Sequence, residues 1–256
     1  MARIDGPLGD ALTDLLELGF ADLYLQPGPP LPAAAAPPRP EPAPPPPEPV
    51  AVEQAAPPPP APASSETRLA SLDQLAAEAQ VCESCRLCRT RNKVVFGSGD
   101  PRAALMFVGE GPGAEEDRQG LPFVGPAGEL LTKIIQAIGL DRNQVYIANV
   151  VKCRPPGNRD PRPDEAAACR RFLDGQIAAI QPKVIVALGR VAAQTLLGTD
   201  LPLGQMRGRW FSVQGRPVRV TYHPAALLRT PAWKRPTWED MQLVRDRLAE
   251  GAREAV

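Results

Sequence analysis

Ala104-Leu-Met-Phe-Val108-Gly-Glu-Gly-Pro-Gly113 is the stretch that decides the fold of this chain. Five apolar residues ended by glycine read as a strand buried on both faces, because a strand with one wet face would alternate. The same pattern recurs at Val184–Leu188 (Val-Ile-Val-Ala-Leu) before Gly189. Val145–Asn149 is a near-continuous apolar run, and Val218–Tyr222, with Arg219 and Thr221 between apolar residues, reads as a fourth strand just before His223. Helix-period stretches separate these runs. Residues 127–138 place Leu130, Leu131, Ile134, Ile135 and Ile138 on one side. Residues 164–180 start after Pro163 with Asp164 and Glu165 in the first turn, where a proline and acids suit a helix start. A further helix follows Gly189, and 238–249 closes the pattern. Strands alternating with helices predict an α/β fold, a three-layer α/β/α sandwich with a central four-stranded parallel sheet.

In such sheets ligands bind beyond the carboxyl ends of the strands. Glu110 and Gly111 follow the first strand, Asn149 ends the second, Gly189 follows the third, and His223 follows the fourth. His223 is the only histidine in the chain. Single polar groups at equivalent strand ends point to one shared site.

Upstream, the composition changes. Of 33 prolines, 18 fall between Pro27 and Pro62. A Pro/Ala-rich segment with almost no large apolar side chains cannot form a packed core, so 27–66 is expected to be an extended linker. Residues 8–25 carry Leu8, Leu12, Leu15, Leu16 and Phe20 at helical spacing among acidic residues. Residues 1–26 therefore read as a short acidic amphipathic helix, either idle or a docking element for a protein partner. From about Thr67, Leu69, Leu72, Leu75 and Ala76 predict a helix leading into Cys82, which opens a folded domain over 67–250.

The zero net charge conceals an asymmetry. Residues 1–81 hold 3 Lys/Arg and 11 Asp/Glu, a balance of about −8, and residues 82–256 hold 26 and 18, about +8. A basic body suits a polyanion, although ordinary surface charge also fits. No leader-like apolar run opens the chain and no stretch is apolar enough to span a bilayer, so a cytoplasmic protein with no membrane partner is expected.

Cytosolic thiols stay reduced, which favours metal ligation over disulfides. Cys82-Glu-Ser-Cys85 with the distant Cys153 and Cys169 reads as a four-thiolate metal site. Spacing alone leaves Zn2+ and a [4Fe–4S] cluster open, because both accept four thiolates. Cys88 is a fifth cysteine in the same region.

Taken together, Cys82-Glu-Ser-Cys85, Gly109-Glu-Gly-Pro-Gly113, Glu115-Glu-Asp117, Pro122-Phe-Val-Gly125, Asn149-Val-Val-Lys-Cys153-Arg-Pro-Pro, Cys169 and His223-Pro-Ala-Ala-Leu-Leu228 resemble the family 4 uracil-DNA glycosylases. The resemblance runs from about Cys82 to Leu248. It implies a structural [4Fe–4S] cluster on Cys82, Cys85, Cys153 and Cys169, with Zn2+ as the lesser choice and Cys88 outside the ligand set. It also implies a hydrolase for the N-glycosidic bond of uracil in single- or double-stranded DNA. Base flipping would admit the uracil to the site, leaving free uracil and an abasic site.

The residue roles follow from the same resemblance. Phe123 is the stacking face for the flipped base. Asn149 donates to one uracil carbonyl and accepts from N3–H, a pattern that cytosine opposes. Glu116 matches a position that crowds the base C5, or else belongs to a solvated acidic face. Gly109 and Gly111 line the base, with backbone N–H groups of Glu110 and Gly111 near base or water. His223 donates to uracil O2 as negative charge develops on the leaving ring. Glu110 is the nearest candidate to position water, since Gly111 stands where better-known superfamily members carry aspartate. Leu227 is the wedge that fills the vacated stack, with core packing as its alternative. Arg207, Arg209 and Arg229 are candidate phosphate contacts. The Cys153–Pro161 loop has no histidine and no insertion, so hydrolytic turnover is expected rather than a protein–DNA crosslink.

Two other classes compete. One is a catalytically silent DNA-binding module with a structural metal. The other is a nucleotide-binding protein using Gly109–Gly113, but that run is not G-x-G-x-x-G and Pro112 interrupts the phosphate turn. A monomer, associated with the nucleoid when on DNA, is expected.

Overall fold

The structure, a computed structural model, describes residues 65–253, with side chains described over 66–250. The expected docking helix at 1–26 and nearly all of the expected linker lie outside the described residues.

Six strands form one sheet: β1 (Ser98–Gly99), β2 (Leu105–Gly109), β3 (Tyr146–Asn149), β4 (Val184–Leu188), β5 (Trp210–Val213) and β6 (Arg216–Thr221). Their order is β1-β3-β2-β4-β6-β5. The four middle strands are parallel and are the four strands expected from the sequence. β1 and β5 pair antiparallel at the two edges, so the sheet has six strands and not the expected four. Both additions escape a search for buried runs. β1 is two residues long, too short for any period. β5 alternates exposed and more buried positions, as an edge strand does. It returns into β6 through Gln214-Gly215, both at positive φ (50° and 72°), the geometry of a two-residue hairpin.

The helices are α1 (Ser65–Gln80), α2 (Ala114–Gln119), α3 (Pro126–Ala137), α4 (Pro163–Ile180), α5 (Arg190–Leu197), α6 (Leu203–Met206), α7 (Pro224–Arg229) and α8 (Lys234–Arg253). Proline opens α3, α4 and α7, where its missing N–H has no partner to lose. α8 starts four residues before the expected 238, and Pro236 sits in its first turn.

Alternate residues of each strand feed opposite faces of the sheet. Met106, Val108, Ala148, Ile185, Ala187, Val218 and Val220 share a core with α1, α4 and α5. Leu105, Phe107, Ile147, Val184, Val186 and Leu188 share the other with Leu131 and Ile135 of α3 and Met241 and Val244 of α8. These are the three layers that the uninterrupted apolar runs required.

Candidate active site and cysteine pocket

A cavity of about 410 Å3 opens at the carboxyl ends of the parallel strands. Glu110, Gly111, Glu116, Phe123, Asn149, His223 and Arg229 all line it, although they come from five separate parts of the chain.

Phe123 is buried and sits at φ 53°, a left-handed conformation that is unfavourable for a bulky residue. Its neighbours impose this. Glu116 Oε1 accepts from Val124 N (3.0 Å) and Gly125 N (3.2 Å), while Oε2 accepts from Gly113 N (3.1 Å). Arg142 donates to Pro122 O at 2.7 Å from the other side. Two glycines make the room. A Cβ on Gly109 would stand 2.4 Å from Asn149 Oδ1 and 2.5 Å from Phe123 Cζ, and one on Gly128 would stand 1.8 Å from Phe123 O. Glu116 thus lines the cavity as expected, but its carboxylate is committed to three backbone N–H groups. It braces the Phe123 loop against the Gly109–Gly113 loop rather than standing free to crowd a base.

Asn149 is 1% exposed and ends β3. Its Oδ1 is buried with no hydrogen-bond partner in the protein. A buried acceptor left unpaired costs about 1–3 kcal/mol, so such an atom implies a ligand N–H. The carbonyl of the same residue is held from behind: Lys152 Nζ donates to Asn149 O (2.8 Å) and to Gln176 Oε1 (2.6 Å). Lys152 is fully buried, and burial pulls its ammonium down to about 8.

His223 caps α7. Its Nδ1 accepts from Ala225 N at 3.2 Å, which leaves the ring proton on Nε2. Burial, then the charge of Arg229, lowers its pKa to about 4, with Glu116 partly opposing. At neutral pH His223 is therefore an uncharged donor.

Glu110 is half-buried and lines the cavity together with Asp160. Burial first, then the charge of Asp160, raises Glu110 to about 7, and Arg190 offsets part of the rise. Arg190 itself binds Asp160 Oδ2 at 2.6 Å. Asp160 also lines the cavity. Sequence reasoning missed both Asp160 and Arg190. Asp160 lies in a proline-rich loop without period, and nothing local to Arg190 ties it to a residue thirty positions earlier.

Two expected DNA contacts need correction. Leu227 is 1% exposed, because α7 turns it into the core, whereas Leu228 is 50% exposed. Arg207 is not a free surface cation. It pairs with Asp240 (2.8 Å), donates to Pro236 O and lies over the Tyr222 ring at 4.4 Å. Asp240 also binds Arg219 and Thr221, which makes Arg207 part of a buried network under α8. Arg209 and Arg229 are exposed.

Behind β3, all five cysteines (Cys82, Cys85, Cys88, Cys153 and Cys169) line a second, small pocket, and all are free thiols. Lys152 N donates to Cys169 Sγ and Arg91 Nη1 to Cys153 Sγ, each at 3.3 Å. Arg91 also holds Cys82 O (2.7 Å) and Gln80 O (3.2 Å), joining α1 to the loop after β3. Burial pushes Cys153 up to about 11 and raises Cys85 and Cys169, whereas Cys82 is lowered; a bound cationic centre would favour the ionised form of all four. Among the described residues no three such side chains converge on one point as a single ion requires. Several thiols lining one pocket suit a thiolate-ligated metal centre, and both zinc and an iron–sulfur cluster accept such a donor set.

Comparison with known proteins agrees with the geometry. Residues 96–242 match the model of the uracil DNA glycosylase superfamily. A type-4 uracil-DNA glycosylase of Sulfurisphaera tokodaii is 44% identical over 185 residues, covering 69% of this chain and 84% of the relative. Those of Archaeoglobus fulgidus and Thermotoga maritima are each 46% identical, over 171 and 167 residues, covering 64% of this chain and 86% of each relative. With the match spanning the cavity walls and most of each relative, the chain belongs to the uracil-DNA glycosylase superfamily and, within it, to the type-4 uracil-DNA glycosylases.

Proposed function

We propose that this protein hydrolyses the N-glycosidic bond of uracil in DNA, using the cavity at the strand ends. The observation that carries this reading is the buried, unpartnered Asn149 Oδ1 beside an aromatic ring. It is an acceptor for the N3–H of uracil. Cytosine, which presents an acceptor at N3, would leave it unpaired and would be rejected more strongly than shape alone allows.

The flipped base stacks on Phe123, an interaction worth about 1–3 kcal/mol against the cost of unstacking. His223 Nε2–H donates to uracil O2. The C1′–N1 bond breaks, and its electron pair goes to the uracil ring, where the neutral donor stabilises the anion. Donors preorganised in this way contribute about 2.7–4 kcal/mol. Water then adds to the cationic sugar, with Glu110 placed to receive its proton. Leu228 takes the wedge role expected of Leu227, since it is the residue of that pair that reaches solvent. Arg229 and Arg209 supply phosphate contacts.

Cys82, Cys85, Cys153 and Cys169, which share one pocket, would hold a [4Fe–4S] cluster, which would supply a structural cross-link and no step of the cleavage. The residues it would tie are this chain's own: α1, the loop after β3, and α4. Cys88 is left as a non-ligand neighbour. The domain division (acidic helix 1–26, linker 27–66, catalytic domain from 67), a monomeric state and a cytoplasmic location belong to the same reading. Among the described residues no helix is long and apolar enough to cross a membrane.

The test is release of free uracil from a single-uracil oligonucleotide, single- and double-stranded. Release abolished by His223→Ala supports the glycosylase. DNA binding without release, by protein carrying the visible cluster absorption, would favour the silent binding module instead.

A further inference from the structure

As a uracil-DNA glycosylase the protein needs a group to take the proton of water, and the role of Glu110 described here rests on that proposed function. Beside it on the cavity wall stands an acidic neighbour brought in by the loop after β3. We propose that Asp160 serves the hydrolytic step through its charge: set beside Glu110 and anchored by Arg190, it strengthens Glu110 as the acceptor of the proton of the attacking water.

Three observations meet here. Glu110 and Asp160 line the same cavity, close enough for the charge of one to act on the other. Arg190, the first residue of α5, clamps Asp160 Oδ2 at 2.6 Å. Asn149, whose buried Oδ1 has no partner, lines the same cavity, so the carboxyl pair stands beside a candidate ligand position and not on an idle surface. The other charged or titratable groups around the cavity are accounted for. Glu116 is bound by backbone amides, Arg159 pairs with Glu165 at 2.7 Å, His223 caps α7, and Arg229 is exposed.

Two carboxyls in reach of each other hold a proton between them more readily than either does alone. The ionised pair accepts one proton from water as the water oxygen bonds C1′. The electron pair of the broken C1′–N1 bond leaves with uracil, so charge and atoms balance without another reactant. Asp160 raises the proton affinity of Glu110 and Arg190 lowers it, so removing each should act in opposite directions.

The test is single-turnover uracil release as a function of pH by the full chain, with wild type, Asp160→Asn, Arg190→Gln and Glu110→Gln. Asp160 and Arg190 are 58% and 52% exposed at the side chain, so neither change should unfold the protein. Wild type should show a rate that rises with pH near neutrality. Asp160→Asn should move that rise to lower pH and reduce the plateau by about tenfold. Arg190→Gln should move it to higher pH, and Glu110→Gln should erase it. All should bind a uracil oligonucleotide within about threefold of wild type. Superimposable profiles for wild type and Asp160→Asn, or shifts of the same sign in both variants, would overturn the proposal. No uracil release by wild type would instead overturn the glycosylase reading, so the two failures are distinguishable.

Discussion

The rings of Phe123 and His223 lie with centroids 5.5 Å apart and planes tilted by 32°. A base sandwiched between two rings needs about 7 Å, twice the contact distance of carbon atoms. The base therefore cannot enter between them. Under the proposed function a uracil would stack on Phe123 and meet His223 at its edge, with O2 within reach of the ring proton on Nε2.

His223→Ala should slow uracil release by about 100-fold to 1000-fold, the scale of one preorganised donor. Glu110→Gln should slow it less, because a cationic sugar captures water readily. Single-turnover rates decide the order, and the reverse order would mean that activation of water governs the barrier.

His223 also fixes a pH response. Its folded-state pKa, about 4, lies below the unfolded value near 6.5. The unfolded chain therefore binds the extra proton first. The stability contributed by the neutral ring is fully present above pH 6.5 and declines as pH falls towards 4. Thermal melts of His223→Gln should lose part of the acid slope that wild type shows across that window. Catalysis should show no loss from His223 protonation between pH 5.5 and 8.

Asn149→Ala should reduce uracil release by about 10-fold to 100-fold while leaving affinity for the DNA backbone nearly unchanged. Parallel losses in cleavage and binding would mean that Asn149 holds the loop and does not read the base. The Lys152 contact to the Asn149 carbonyl remains available in the variant, which limits collapse of β3.

Leucines 227 and 228 should separate cleanly. Leu227→Ala removes a buried side chain and should lower stability by about 2–5 kcal/mol. Leu228→Ala should leave the melting temperature alone and reduce activity on duplex more than on single-stranded DNA, because only the duplex must be opened. Equal losses on both substrates would remove the wedge assignment.

Cysteine substitutions test the ligand set. Cys169→Ser or Cys153→Ser should abolish the visible absorption of anaerobically purified protein, and Cys88→Ser should preserve it. If Cys88→Ser bleaches the protein instead, the ligand set has to be redrawn, since all five sulfurs share one pocket.

Much of this architecture is legible in the chain because burial on both faces leaves an uninterrupted apolar run. β2, β3 and β4 announce themselves that way and β6 by its alternate Val218 and Val220, and the residues at their ends then fall into register as one site. β1 and β5 do not, because an edge strand borrows its order from its neighbour. Leu227 misleads because a six-residue helix does not fix its own phase, so the neighbour of the expected wedge is the one that faces out. Arg207 looks like a surface cation until α8 brings Asp240 against it, a contact 33 residues away in sequence. Asp160 and Arg190 are invisible for the same reason: each matters only through a partner that the fold supplies.

Gly128 has a genetic consequence. Every missense change at a glycine codon installs a Cβ, and at this position a Cβ would lie 1.8 Å from the carbonyl oxygen of Phe123. No conservative replacement exists there, so codon 128 should be intolerant of all substitution although its residue is not among those lining the cavity.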